Sequence, residues 1–123
     1  MDFNGYVGYD VLGMKDGRYV LELGLEERHM NQFGSVHGGV LFTMLDTAMS
    51  RACFDALPDG QKEGVTLEMK INYLKTVREG KLTAFGYLVN RTRRTAYVEG
   101  QILNSEGEMV AKASGTMFMT EPR

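Results

Sequence analysis

The chain has 123 residues, of which 43% are hydrophobic and 24% charged, and its formal net charge at pH 7 is −2. That balance is ordinary for a globular chain and excludes a disordered one, while the near-neutral charge excludes a global field that would recruit nucleic acid or an anionic membrane. The length predicts a single domain over 1–123, with a short peripheral segment at about 1–8, and leaves no room for a cleft between two catalytic domains. A site of any size is therefore expected to be finished by a second subunit.

The opening MDFNGYVGYD lacks the basic and long apolar regions of a signal peptide, and no apolar run reaches the roughly 18 residues of a transmembrane span. A cytoplasmic location is expected. Residues 9–23 read as two short strands joined at the MKDG turn, and ERHMNQFGS, which has no clean period, reads as a loop. From Gly39 to about Ala56 the spacing changes: Val40, Leu41, Met44, Leu45, Ala48, Met49, Ala52 and Cys53 recur at three and four, which predicts a helix ended by Pro58, Asp59 and Gly60. Cys53 is the only cysteine, so an internal disulfide and a cysteine metal cluster are excluded.

Four strands are expected after the helix. VTLEMKINYL places Val65, Leu67, Met69, Ile71 and Tyr73 on one side and Thr66, Glu68, Lys70 and Asn72 on the other. KLTAFGYLVN, TAYVEGQILN and MVAKASGTMFM follow, and the short turns between them favour an antiparallel meander. The late strands carry apolar or small residues on both sides, among them Met109, Val110, Ala113, Met117 and Phe118, and association of subunits would cover that excess.

Chemistry concentrates in GSVHGGVLFTMLDTAMS, residues 34–50. Gly38 and Gly39 stand where loop becomes helix, where unpaired N–H groups and the positive end of the dipole can hold a developing oxyanion. A flexible helix entry capped near Ser35 or His37 is the plainer alternative. Asp46 lies beside the apolar stripe with Thr43, Thr47 and Ser50, and no lysine or arginine lies between residues 31 and 50 to pair with it. A solvated helix aspartate is the alternative there. Eight residues separate Gly38 from Asp46, or about 12 Å along a helix, too far for both to act on one carbonyl within a subunit. A two-fold dimer that sets one helix start against the other chain's Asp46 would join them. His37 fits a loop-positioning role, and neither a G-x-S-x-G elbow nor an H-E-x-x-H zinc site is present.

On NQFGSVHGGVLFTMLDTA, GVTLEMKINYL and NSEGEMVAKASGTMFM, the chain resembles the hotdog-fold acyl-CoA thioesterases, in particular the PaaI-like branch, from about residue 9 to 119. The resemblance implies an α+β hotdog fold, one long central helix wrapped by a curved antiparallel sheet of five to six strands. It also implies edge-to-edge homodimers, which in relatives often assemble further into tetramers; dimer or tetramer is open at this level. By the same resemblance Gly38 N–H polarises the thioester carbonyl, Asp46 of the partner subunit serves as base for water or as nucleophile, Asn31 helps position water or the carbonyl, His37 supports the glycine loop, and Thr66 orients the hydrolytic water. Thr76 departs from a proline that is frequent in relatives, which bears on the pocket rim.

The implied reaction is hydrolysis of acyl-CoA to free acid and CoA, with no cofactor and no metal. Arg91, Arg93 and Arg94 in one connection, and Lys75 and Arg78 in another, are candidates for the CoA phosphates or are solvated turn residues. Phe42, Met49, Met69 and Tyr73 are candidates for an acyl tunnel or for the core. A non-catalytic acyl-CoA sensor and a hotdog hydratase or dehydratase are the competing functions. Acyl-chain preference is open at this level.

Overall fold

The computed structural model describes residues 1–55 and 63–120. In chain order the elements are α1 (Phe3–Val7), β1 (Asp10–Lys15), β2 (Arg18–Gly24), a 3-10 turn (Glu27–His29), α2 (Gly38–Asp55), β3 (Glu63–Tyr73), β4 (Lys81–Arg91), β5 (Thr95–Leu103) and β6 (Met109–Thr120). The helix thus starts one residue earlier than expected, while Ala56 and the expected stop at Pro58–Gly60 lie outside the described residues. No helix among the described residues is long and apolar enough to cross a membrane.

Local chemistry sets the short elements. β1 and β2 close with Lys15 opposite Arg18, so Asp16 and Gly17, at φ 53° and 79°, form the two-residue hairpin turn with positive φ at both positions that matches strand twist. The segment expected to be merely peripheral contains α1: Asp2 caps it by accepting from Gly5 N–H at 2.8 Å, and Gly8 ends it in the left-handed region at φ 83°.

All six strands form one antiparallel sheet in the order β1-β2-β4-β5-β6-β3, curved around α2. This is the hotdog arrangement. The meander expectation holds for β4, β5 and β6 but not for β3, which pairs with β6 and stands at the far edge. The connection after β3 allows this because it crosses the end of the sheet. Leu74 N–H and Lys75 N–H both donate to Val110 C=O, and Val77 C=O accepts from Val36 N–H beside the start of α2.

The core lies between α2 and the sheet. Leu41, Met44, Leu45, Ala48, Met49, Ala52 and Cys53 are buried on the helix against Leu21, Leu23, Leu82, Val98, Ile102, Met117 and Met119. Full burial of side chains of this size stabilises by roughly 1.5–3 kcal/mol each. Met49, one of the tunnel candidates, is fully buried and belongs to this core.

Candidate active site

The loop before α2 is held from within. Asn31 Oδ1 accepts from the N–H groups of Phe33 (2.9 Å) and Ser35 (3.2 Å), its Nδ2 donates to Ser35 Oγ (3.0 Å), and its backbone N–H donates to Ser35 C=O (2.7 Å). His37 N–H then donates to His29 C=O at 2.8 Å. His29, 2% exposed, places Nε2 at 2.7 Å from Val7 C=O and accepts from Glu26 N–H through Nδ1 at 2.9 Å. An Nε2–H tautomer satisfies both contacts. Asn31 and His29 thereby fix the path of residues 29–37 and deliver His37 to the helix start.

His37 caps α2. Its Nδ1 accepts from Gly39 N–H at 2.8 Å, and its carbonyl accepts from Val40 N–H at 2.9 Å. Of the first three amides this leaves Gly38 N–H, which has no hydrogen-bond partner among the described residues, at the positive end of an 18-residue helix. Tyr73 O–H donates to Gly38 C=O at 3.2 Å, and a Cβ on Gly38 would come within 3.2 Å of the Tyr73 ring. Glycine suits this position because an aromatic ring from β3 lies against the helix start, and a Cβ there would have to push the exposed Tyr73 ring aside by a few tenths of an ångström. Sequence alone makes Tyr73 only a lining candidate, because a 35-residue separation carries no signal of this bond.

Asp46 is partly buried and accepts from Thr66 O–H through Oδ1 at 2.6 Å. Strict alternation would place Thr66 on the opposite face of β3 from Met69, Ile71 and Tyr73. The structure corrects this. Thr66 pairs with Met117 and Glu68 with Thr116, so Leu67 is an extra, unpaired residue, a β-bulge that shifts the phase. Thr66 therefore shares the helix-facing side with Tyr73. Such re-aiming of a side chain is what bulges do beside functional sites.

Gly38, Phe42 and Asp46, spaced by four, form a strip along α2 beside β3, with Thr66 and Tyr73 marking its two ends on the strand. Phe42 is 37% exposed, so the strip is an open seam rather than core. The basic candidates are not brought together within one chain. Arg78 donates to Phe33 C=O at 2.9 Å, and Lys75 lies 3.5 Å from Glu108, at the N-terminal end of α2. Arg91, Arg93 and Arg94 are exposed in the hairpin between β4 and β5, where Arg94 C=O accepts from Met119 N–H and the Arg91 charge reaches Cys53 near the other end of the helix. Burial pushes the Cys53 thiol up despite that charge, so it is unsuited to act as a thiolate nucleophile.

The arrangement offers an unpartnered amide at the helix start among the described residues, an oriented carboxylate and an edge strand. Comparison with known proteins places the chain in a family. The Thioesterase superfamily model matches residues 33–111, which hold every element of the seam. A hypothetical thioesterase of Streptococcus pneumoniae, solved with coenzyme A, is 36% identical at a TM-score of 0.83, over 94% of this chain and 88% of that one. A conserved protein of Pseudomonas aeruginosa is 30% identical at a TM-score of 0.86, over 98% and 94%. Human acyl-coenzyme A thioesterase 13 is 24% identical over 84% of this chain and 74% of its own length. With the family model covering most of the chain and the hotdog architecture in place, this protein belongs to the thioesterase superfamily.

Proposed function

We propose that the protein hydrolyses acyl-CoA thioesters to the free acid and CoA, at sites shared between two subunits of a homodimer that pairs again into a dimer of dimers. The observation that carries this reading is the seam itself. An amide without a partner among the described residues and a carboxylate held by a hydroxyl lie on one helix, about 12 Å apart, beside an edge strand. Val65 and Leu67 on that strand are 56% and 58% exposed, as a strand awaiting a second copy would be. A two-fold axis beside β3 runs the helices antiparallel and sets Gly38 of one chain against Asp46 of the partner subunit.

In this site the thioester oxygen sits on Gly38 N–H, where the dipole stabilises the charge that develops. Asp46 of the partner subunit takes a proton from water or attacks the carbonyl carbon itself, with Thr66 fixing its orientation. When Asp46 acts as base, the bond from water oxygen to the carbonyl carbon forms, the C–S bond breaks and the proton taken up by Asp46 passes to the departing sulfur. When it attacks directly, the acyl–Asp46 anhydride formed as the thiolate leaves is opened by water, which releases the free acid, restores the carboxylate and supplies the thiol proton. The same two-fold pairing carries Arg91, Arg93 and Arg94 of one chain toward the Lys75 and Arg78 end of the other. Both basic groups can then face the CoA phosphates. Human acyl-coenzyme A thioesterase 13 and the coenzyme A complex of the Streptococcus pneumoniae protein support this substrate class.

Subunit mixing tests the reading. Gly38→Pro removes the amide at a helix position that tolerates proline, and Asp46→Asn removes the carboxylate charge. Each variant alone is expected to release little thiol from acyl-CoA. Refolded together in equal amounts they should recover about a quarter of the wild-type rate, because half the dimers are mixed and each mixed dimer has one intact site. No recovery would reject the shared site. Wild-type protein that binds acyl-CoA without releasing thiol would instead be a sensor.

A further inference from the structure

We infer that the acyl group of the substrate enters a pocket walled by the N-terminal helix α1, and that α1 limits the length of acyl chain accepted. The inference rests on the thioesterase reading above. A pocket of about 300 Å3 opens beside the helix start, lined on one side by His37, Gly39 and Val40 and on the other by Phe3, Tyr6 and Val7. It adjoins the reacting position, since its lining residues His37 and Gly39 flank Gly38 in the chain, and Val40, about 200° around the helix from Gly38, puts it across the helix from the Phe42–Asp46 seam. A thioester carbonyl held at Gly38 therefore has two directions in which to extend.

The chemistry of the two directions differs. The seam side leads past Tyr73 to Lys75 and Arg78, which suits the polar and phosphorylated CoA arm. The α1 side is lined by two aromatic rings and two valines together with Arg28, His29 and His37, a mainly apolar surface that suits an apolar group. Its volume is at the bottom of the roughly 300–1,000 Å3 range of small-molecule pockets, so a compact acyl group fits and a long tail does not.

The wall is preformed although α1 has only five residues. Val7 is buried, its carbonyl lies 2.7 Å from Nε2 of the buried His29, and Arg28 Nη2 reaches the same carbonyl at 3.5 Å. A Cβ on Gly8 would collide with that guanidinium, so the glycine lets Arg28 close over the end of α1. The buried histidine that fastens α1 is also bonded through its carbonyl to His37. Phe3 and Tyr6 nevertheless remain 68% and 69% exposed, which is costly for two large rings unless something apolar is placed against them.

The test compares kcat/KM for acetyl-, octanoyl- and palmitoyl-CoA in wild type, Val40→Phe and Tyr6→Ala. Filling the pocket with Val40→Phe should lower the octanoyl-to-acetyl ratio about 10-fold. Opening its wall with Tyr6→Ala should raise the palmitoyl-to-octanoyl ratio several-fold, and the exposed Tyr6 can be cut back even if Val40→Phe fails to fold. Ratios that stay put in folded variants, or rates that fall equally at every chain length, would overturn the assignment. Calorimetry with a hydrolysis-resistant octanoyl-CoA thioether separates the two claims. Absence of thiol release from every ester would reject the thioesterase reading, whereas thioether affinity unaffected by Val40→Phe and Tyr6→Ala would reject the pocket alone.

Discussion

The two flanks of α2 are built for different ends. Toward the middle of the sheet, Gly86, Gly100 and Gly115 on three adjacent strands leave no Cβ beneath Ala48 and Met49, and the helix backbone settles onto the strands. A Cβ on Gly86 would lie 2.3 Å from the Ala48 carbonyl carbon, and one on Gly100 would lie 2.9 Å from Met49 Cγ. Toward β3, the same helix presents Gly38, the partly exposed Phe42 and Asp46 to an edge strand, with hydroxyl contacts from Tyr73 and Thr66. One flank spends its sequence on close packing. The other leaves polar groups and apolar surface uncovered, and the comparison teaches that close packing and uncovered polar groups fall on opposite sides of a single helix.

Asp46→Asn is the sharpest way to break that division. The amide keeps the size of the side chain and can still accept from Thr66, so the unfolding free energy should change by no more than about 0.5 kcal/mol. Turnover of the preferred acyl-CoA should fall about 10³-fold, the scale of a lost general base. An active Asp46→Asn enzyme, or one that loses several kcal/mol of stability, would put Asp46 on the structural side instead. Gly86→Ala should show the mirror image. The new methyl meets helix backbone rather than a flexible side chain, so a loss of about 3 kcal/mol and a drop in Tm on the order of 10 °C are expected in thermal unfolding. The surviving folded fraction should keep its kcat, and a stable Gly86→Ala with impaired turnover would contradict the assignment.

The close-packed flank was the more legible one. The three-and-four spacing from Leu41 to Cys53 named the buried helix face almost residue by residue, because burial against a sheet imposes a period that survives in sequence. The HGG entry and the carboxylate eight residues on were legible too, since few segments set glycine, histidine and aspartate in an otherwise apolar helix. The phase of β3 was not. Leu67 carries no glycine or proline to mark a bulge, and the extra residue is defined only by pairing with β6, about 50 residues away. The position of β3 at the sheet edge was hidden for the same reason, because a seven-residue connection fits a neighbour as well as a crossing. The α1 helix had a local signal in Asp2 and Gly8, but Gly5 at its centre and its five-residue length weakened any period.

Thr66 gives the finest test, because its role depends on the bulge. If the shifted phase matters, the hydroxyl is worth having only for the hydrogen bond it donates to Asp46 Oδ1, since its other contact is the weak acceptor Met117 Sδ at 3.3 Å. Thr66→Val keeps the shape and removes the donor. A hydrogen bond to a charged group contributes about 1.5–3 kcal/mol when enclosed, and this one is exposed enough that the lower end applies. The expected result is a fall of about 10-fold in kcat, with KM for acyl-CoA nearly constant, because the carboxylate loses its orientation while the substrate keeps its oxyanion donor. Thr66→Ser restores the donor and should recover most of the rate, which a packing role for the lost methyl would not predict. Equal rates in all three proteins would mean that the bulge serves the sheet edge alone and that Asp46 is oriented by something other than β3.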